Sequence, residues 1–181
     1  MKKSGYMAAI SLAGFCLFSG GVSAQPPGCN DIPGARDFDF WLGTWEVYDK
    51  NEKLGGVNKI SKRSGGCLIL EEWRSANGGE GVSMNFLDPR TGNWTQTWMG
   101  TNNYITYEGG LNADGQMVLT GQITYFSAKG ARSADFKGTW TPNNDGSVTQ
   151  HFEEFDADAG VWNDWFVGTY KRVDDDLSTE E

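Results

Sequence analysis

Apolar and polar residues alternate with a period of two in ten short stretches that begin at Thr44. This alternation predicts half-buried β-strands, because successive side chains of a strand point to opposite faces of the sheet. After residue 45 no segment has the longer period of a helix, and only residues 36–42 are predicted to form one short helical turn. The predicted strands span 44–49, 54–62, 67–75, 82–88, 93–99, 103–110, 116–126, 132–141, 147–155 and 161–173.

Short segments rich in Asn, Asp and Gly separate the predicted strands, as in 77–80, 88–92 and 143–146. Such segments are typical of hairpin turns, because Asn and Asp bond to the backbone and Gly accepts a positive φ. A meander of about ten strands must either close or leave two exposed edges. The sequence therefore predicts an all-β fold, an antiparallel up-and-down barrel. A two-sheet sandwich is the alternative, but it requires long crossing connections that the strand spacing does not provide.

The first 24 residues have the three parts of a secretory signal peptide. A basic start (Lys2, Lys3) is followed by an apolar run over residues 6–18 and by the small-x-small site Val22-Ser23-Ala24. Cleavage is expected after Ala24, which would place the protein in the periplasm or outside the cell. A membrane anchor is the alternative, but the apolar run is shorter than the roughly 20 residues that a membrane-spanning helix needs. A lipoprotein is disfavoured because Phe15 displaces Cys16 from the lipobox position.

The rest of the chain divides into three predicted parts. An N-terminal arm spans 25–35, the barrel domain spans 36–173, and 174–181 form an acidic, disordered tail. The formal net charge is −9, and removal of Lys2 and Lys3 with the signal peptide makes it more negative. Nucleic acid and anionic membrane are unfavourable partners for so acidic a chain, and no transmembrane segment is predicted after residue 24.

Cys29 and Cys67 are the two cysteines that remain beyond the predicted cleavage site. In an oxidising compartment an even number of cysteines favours a disulfide, and neither residue belongs to a C-x-x-C pair or to a zinc motif. The predicted bridge would fasten the N-terminal arm to an early strand.

Gly43-x-Trp45 resembles the motif with which calycin barrels, such as lipocalins and fatty-acid-binding proteins, begin. In that family the Trp closes the narrow end of the barrel, and a basic residue of the last strand packs on it; Arg172 matches that residue. Gly43, Trp45 and Arg172 are therefore expected to have structural roles. An inward Trp45 would place Val47 inward, and pairing with Arg172 would point Tyr170, Gly168 and Phe166 inward.

Four segments, 38–49, 65–73, 150–153 and 168–172, also resemble a family of uncharacterised bacterial proteins, many of them exported. The similarity spans nearly the whole chain after the signal peptide. It implies a calycin-like barrel, a domain of unknown function, and it implies no activity.

His151 is the only histidine and shares a strand face with Thr149 and Glu153. An imidazole beside a carboxylate suits a general base, and nitrobindins, which are calycin-like barrels, hold haem through a histidine. The other interpretation is a hydrogen-bonded residue of the barrel wall. Nucleophilic catalysis lacks support, because there is no Gly-x-Ser-x-Gly and the cysteines are expected to be paired.

All eight tryptophans follow residue 40, and Trp94, Gln96 and Trp98 share one strand face. Such a face belongs either to a filled core or to the wall of a cavity in which Gln96 anchors an otherwise apolar ligand. A ten-stranded barrel is wide enough that side chains need not fill it. Two further faces are Tyr104 with Thr106, and Met117, Leu119, Ile123 and Tyr125; Glu71, Glu72 and Glu108 are candidates for a buried carboxylate.

The sequence thus predicts an exported small-molecule-binding barrel for a mostly apolar or aromatic ligand, with no catalytic residue, metal or resident cofactor. The expected ligand-binding residues are Trp94, Gln96, Trp98, His151 and Glu153. Three alternatives remain open: an isomerase or hydrolase-like enzyme using His151 and a Glu, haem binding through His151, and an envelope interaction protein with a packed barrel. The identity of the ligand and the oligomeric state are left open as well.

Overall fold

The computed structural model describes residues 28–173, and within them ten strands and three short 3-10 turns. The predicted signal peptide, the first residues of the arm (25–27) and the acidic tail (174–181) lie outside the described residues. The strands are β1 (Gly43–Asp49), β2 (Leu54–Arg63), β3 (Leu68–Ser75), β4 (Glu80–Asp88), β5 (Asn93–Gly100), β6 (Asn103–Leu111), β7 (Met117–Ser127), β8 (Gly130–Pro142), β9 (Val148–Asp156) and β10 (Val161–Arg172). The 3-10 turns span Cys29–Asp31, Asp39–Trp41 and Ser64–Gly66.

The ten strands form one closed antiparallel barrel. Each strand pairs with its neighbours in the chain, and β1 pairs with β10 to complete the ring. The predicted up-and-down barrel is confirmed, and every predicted strand boundary lies within two residues of the observed one. Closure gives every strand a neighbour on both sides, which is the physical reason that a meander of this length forms a barrel.

The N-terminal segment closes one end of the barrel. Phe38 precedes the second 3-10 turn and Trp41 ends it; both are fully buried, with their rings stacked at 4.9 Å between centroids. Phe38 also packs edge-on against Trp140 at 5.2 Å. The indole N–H of Trp94 donates to the carbonyl of Gly34 at 3.1 Å. Residues 34–42 therefore act as a plug of aromatic side chains at this end.

The Gly43-x-Trp45 motif lies beside this plug and has the expected geometry. Trp45 pairs with Arg172 across β1 and β10, and the Arg172 guanidinium lies 4.2 Å above the centre of the Trp45 ring. Arg172 Nη1 also donates to the carbonyl of Leu42 at 3.0 Å. Gly43 has a φ of +135°, and a Cβ there would overlap Arg172 Nη1, so the motif needs glycine at this position.

The neighbours of Trp45 along and across the strands point to the sides that the sequence predicts. Val47 and Tyr170 are buried and face each other in the β1–β10 ladder. Glu46 and Tyr48 point outward, and the Tyr48 hydroxyl donates to Glu46 Oε2 at 2.6 Å. This hydrogen bond is the main cause that raises the pKa of Tyr48 above its ordinary value.

Cys29 and Cys67 form a disulfide that joins the plug region to the barrel wall. Their Cα atoms are 4.9 Å apart, within the usual range for such bridges. Lys62 supports the same junction, because its ammonium lies 2.7 Å from Asp39 Oδ1 and 3.1 Å from Asn30 Oδ1. The disulfide is consistent with an oxidising environment.

Candidate functional site

A cavity of about 190 Å³ lies inside the barrel, above the aromatic plug. Side chains from seven of the ten strands reach it. One side of this central cavity is polar and is formed by Asn58, Glu71, Gln96, Tyr107, Gln150 and Tyr170. The remainder is apolar and is formed by Val47, Trp73, Trp98, Ile105, Phe152, Trp165 and Phe166.

Hydrogen bonds from both flanks of the polar side converge on the carboxylate of Glu71. From β2, the Asn58 amide donates to Glu71 Oε1 at 2.7 Å. From β4, the Ser83 hydroxyl donates to Glu71 Oε2 at 2.5 Å. Because both oxygens accept a bond from a rigid strand, the carboxylate is held in one orientation.

Two chains of hydrogen bonds extend from this centre, and each includes a tyrosine. On one flank Tyr107 donates to Gln96 Oε1, Gln96 Nε2 donates to Asn85 Oδ1, and Asn85 Nδ2 donates to Ser83 Oγ at 2.9 Å. On the other flank the Asn58 amide donates to the Tyr170 oxygen at 3.1 Å, and Tyr170 donates to Gln150 Oε1 at 2.9 Å. Each hydrogen bond of the network therefore has a defined donor and acceptor.

The environment of Glu71 favours its protonated form. Burial raises the pKa of Glu71 to about 7, against the opposing effect of the hydrogen bonds from Ser83 and Asn58. Burial also raises the pKa of Tyr107 and of Tyr170 well above the ordinary value of a tyrosine, and the charge of Glu71 adds to the shift in both. Both tyrosines are therefore neutral donors at physiological pH, while Glu71 exchanges a proton near neutrality.

One polar atom in this network has no hydrogen-bond partner. Asn58 is fully buried, and its Oδ1 accepts no hydrogen bond within residues 28–173. An unsatisfied buried carbonyl costs about 1–3 kcal/mol relative to a paired one. Asn58 is among the residues that line the central cavity, so this unpaired oxygen belongs to its polar side.

Partly exposed aromatic side chains surround the opposite end of the cavity from the plug. Trp98 lies over Gly81, where a Cβ would overlap the indole, and its N–H donates to Asn103 Oδ1 at 3.0 Å. Trp73 lies over Gly56 in the same manner. These inward glycines leave room for flat rings against the barrel wall. This aromatic mouth comprises Trp73, Trp98, Phe152, Trp165 and Phe166.

Trp165 reaches the mouth because of a β-bulge in β10. Asp164 pairs with Glu153 and Phe166 pairs with Phe152, so Trp165 is the extra residue between two ladder pairs. Its ring packs edge-on against Phe136 at 5.5 Å, and its N–H donates to the Tyr125 hydroxyl at 2.7 Å. Strict alternation places residue 165 on the outer face, and the bulge turns its side chain to the inner one.

An acidic cleft of about 600 Å³ adjoins the mouth and shares Trp165 with the central cavity. It opens where the β7–β8 and β9–β10 hairpins extend beyond the last β8–β9 pair, Phe136 with Glu154. Arg132 is its one cationic side chain within residues 28–173, and it binds Glu154 Oε1 at 2.9 Å. The carboxylates of the cleft are Asp135, Glu154, Asp156, Asp158 and Asp164.

Three of the five predicted ligand-binding residues point into the barrel. Gln96 and Trp98 line the central cavity, at its polar wall and its mouth. Trp94 is buried one step nearer the plug, where it packs on Phe38 at 5.7 Å and does not reach the cavity lining. The shared face of β5 is thus an interior face, divided between plug and cavity.

His151 and Glu153 lie on the outer face of the barrel, which corrects their expected place in the cavity wall. Val148, Gln150 and Phe152 are inward residues of β9, and Glu154 pairs with the buried Phe136, so the residues between them point outward. His151 Nε2 lies 2.8 Å from Asp164 Oδ1, and Glu153 forms an ion pair with Lys137 at 2.6 Å.

The outward position of His151 also removes the geometric basis for two alternatives. Haem does not fit the residues present, because the only histidine faces away from a cavity that is smaller than the roughly 300–1,000 Å³ of ordinary ligand pockets. An acid–base pair of His151 with a cavity glutamate is separated by the barrel wall. The proton-exchanging group inside the cavity is Glu71.

Of the two other strand faces that the sequence analysis names, one is interior and one is exterior. Met117, Leu119 and Ile123 are fully buried as an interior face, whereas Tyr104 and Thr106 point outward and Ile105 and Tyr107 take the interior side of β6. The two-residue turn after β5 pairs Trp98 with Ile105, which fixes this register. Of the three candidate buried carboxylates, Glu71 is interior, and Glu72 and Glu108 are exposed.

Residues 28–173 contain no helix that is long and apolar enough to cross a membrane. In the same range no three His, Cys, Asp or Glu side chains converge as they would around a metal ion.

Comparison with known proteins adds no functional assignment. No family model matches the sequence, and no curated protein matches it. The barrel is compatible with a calycin-like fold, and its chemistry must be inferred from the cavity itself.

Proposed function

We propose that this protein is an exported carrier of a small, mostly apolar or aromatic molecule, which binds in the central cavity. The observation that carries the proposal is the two-sided lining of that cavity, with fixed polar groups on one side and aromatic rings on the other. Ligand pockets in proteins typically combine a largely apolar surface with a few oriented polar groups. Export is supported by the disulfide and by the signal-peptide pattern of residues 1–24.

The size of the cavity supports a ligand with one aromatic ring. Apolar protein cavities of roughly 150 Å³ admit benzene. At about 190 Å³ the central cavity has room for a ring with one or two further heavy atoms. The indoles of Trp73 and Trp98 offer flat surfaces to such a ring, and Gln96 and Tyr107 belong to the polar side that would orient its substituent.

Binding without turnover is the better-supported activity. Cys29 and Cys67 are joined in the disulfide, and His151 lies outside the barrel. The central cavity therefore offers hydrogen-bonding groups and one carboxyl group, and within residues 28–173 its lining includes no Ser, Cys or Lys to act as a nucleophile.

Native mass spectrometry of the protein secreted with its own leader tests this proposal. We expect a mass above that of the polypeptide, which is lost on denaturation. Ile105→Trp fills the cavity from β6 and should abolish the extra mass. Thr106→Trp places the same side chain on the outer face of that strand and should retain it.

The proposal is wrong if the wild-type protein carries no bound molecule and also fails to retain toluene, indole or benzyl alcohol supplied in excess. It is also wrong if Ile105→Trp, shown to be folded by circular dichroism, retains the same molecule as the wild type.

A further inference from the structure

We infer that the ligand of the central cavity is a small aromatic amine, bound as the ammonium ion with its nitrogen against Glu71 and Asn58. This inference rests on the proposed function and names the chemical class that the cavity would select. Three features support it: the missing counter-ion of Glu71, the unpaired oxygen of Asn58, and the carboxylates around the mouth.

Glu71 has no positively charged partner among residues 28–173. The groups around it are Asn58 from β2 and Ser83 from β4, which bond to it, and Tyr107 from β6 and Tyr170 from β10, which feel its charge. Among these only the two tyrosines titrate, and both are neutral at physiological pH. A buried carboxylate is unfavourable unless a cation compensates it, and a bound ammonium would be that cation.

The unpaired acceptor stands next to this carboxylate. The amide of Asn58 donates to Glu71 through Nδ2, and Oδ1, which is bonded to the same amide carbon, has no donor within the described residues. The Tyr107 hydroxyl donates to Gln96 and accepts no hydrogen bond within residues 28–173. An ammonium ion carries three N–H donors and no acceptor, which matches a site that presents unpaired oxygens.

The approach to the cavity is equally suited to a cation. Among the described residues, five carboxylates and one guanidinium line the acidic cleft beside Trp165. A cleft lined by one sign of charge raises the local concentration of the opposite ion. The indoles of Trp73, Trp98 and Trp165 at the mouth can also attract a cation through their ring faces.

Isothermal titration calorimetry with benzylamine and benzyl alcohol tests the inference, because the two probes have the same shape and differ in charge. At pH 8 benzylamine is mostly protonated and Glu71 mostly ionised, and we expect benzylamine to bind at least tenfold more tightly than the alcohol. At pH 5 Glu71 holds a proton, and the affinity for benzylamine should fall about tenfold or more. The affinity for benzyl alcohol should stay nearly constant.

Two neighbouring residues of β3 provide a matched pair of variants. Glu71→Gln removes the interior charge and should abolish both the preference for benzylamine and its pH dependence. Glu72→Gln removes a charge on the outer face of the same strand and should bind both probes as the wild type does.

Two results overturn the inference in distinguishable ways. If the wild-type protein binds the alcohol as tightly as the amine at both pH values, the cavity selects neutral rings, and only the proposed carrier function survives. If neither probe binds and Ile105→Trp makes no difference to any small aromatic molecule, the carrier function fails as well. The pH comparison on the wild-type protein needs no variant, so either result can be obtained even if Glu71→Gln does not fold.

Discussion

Glu71 is the residue on which the chemistry of the barrel interior depends. Its carboxyl is buried among amide, hydroxyl and phenol groups that form hydrogen bonds but bring no positive charge. Burial therefore dominates, and it raises the pKa of Glu71 to about 7. The protein thereby retains at neutral pH a group that can either hold a proton or accept a cation.

The raised pKa predicts how stability depends on pH. Between the ordinary pKa of 4.5 and the folded value of about 7, the folded state binds more protons at Glu71 than the unfolded state does. The free energy of unfolding should therefore fall as pH rises from 5 to 8, by about 2.5 kcal/mol more in the wild type than in Glu71→Gln. Urea denaturation of both proteins over this range measures the difference.

The difference between the two curves of unfolding free energy against pH, for the wild type and for Glu71→Gln, gives the contribution of Glu71. Asp49, Asp88 and Asp145 have lowered pKa values and contribute in both proteins, at more acid pH. Glu72→Gln is the control and should follow the wild type. Parallel profiles for the wild type and Glu71→Gln would show that the carboxyl is not desolvated as described.

The residues of the site differ in how well the sequence predicts their positions. Gln96 and Trp98 are predictable because an alternating strand places them on one face, and Trp45 can be assigned inward from its motif. Alternation alone does not say which face is interior, and for this reason the prediction for His151 and Glu153 is wrong about their side of β9. No feature of the sequence predicts that Trp165 points inward, because a bulge interrupts the alternation there.

At the scale of elements, the strands are predictable because two independent signals agree. Period-two alternation marks each strand, and Asn, Asp and Gly mark most of the turns. Paired residues of neighbouring strands point to the same side of the sheet. Because Trp45 points inward and pairs with Asn58, and Asn58 pairs with Trp73, both of these residues also point inward, and Asn58 belongs to the polar side of the cavity. These pairings can be assigned only from the structure, because a bulge near Val47 and Tyr48 shifts the pairing of β1 with β2 and the sequence does not reveal this bulge.

The plug is the element that the disulfide secures. Cys29 and Cys67 are 38 residues apart, and the bridge between them restricts the unfolded chain. By the chain-entropy estimate the double variant Cys29→Ser/Cys67→Ser should lose roughly 3–4 kcal/mol of unfolding free energy. Chemical denaturation of the oxidised wild type and the double variant is the measurement.

Hydrogen exchange can show where that stability is lost. We expect the amides of residues 34–42 to exchange faster in the double variant. The plug is then held by its link to Gly43, by packing, and by contacts such as the Lys62–Asp39 ion pair and the Trp94–Gly34 hydrogen bond. The amides of β6 and β7, on the far side of the ring from the bridge, serve as the internal control. Equal protection of the plug in both proteins would contradict a tethering role for the disulfide.

At the scale of the whole molecule, the barrel has two unlike ends. Trp45, Arg172 and the plug seal one end with packed aromatic rings and a cation. The other end has partly exposed rings around a small cavity and an acidic cleft beside it. One sealed end and one end with a partly exposed cavity are compatible with ligand binding inside the barrel.

The eight tryptophans report on these two ends separately, and their indole N–H signals can be resolved in one ¹⁵N–¹H correlation spectrum. We would record this spectrum of the wild-type protein while benzylamine or benzyl alcohol is titrated. Binding in the central cavity predicts that the signals of Trp73, Trp98 and Trp165 shift in a saturable manner, while those of Trp45 and of the outward Trp162 stay in place. Signals that remain unchanged throughout, or shifts confined to Trp162, would contradict the binding of small aromatic molecules inside the barrel.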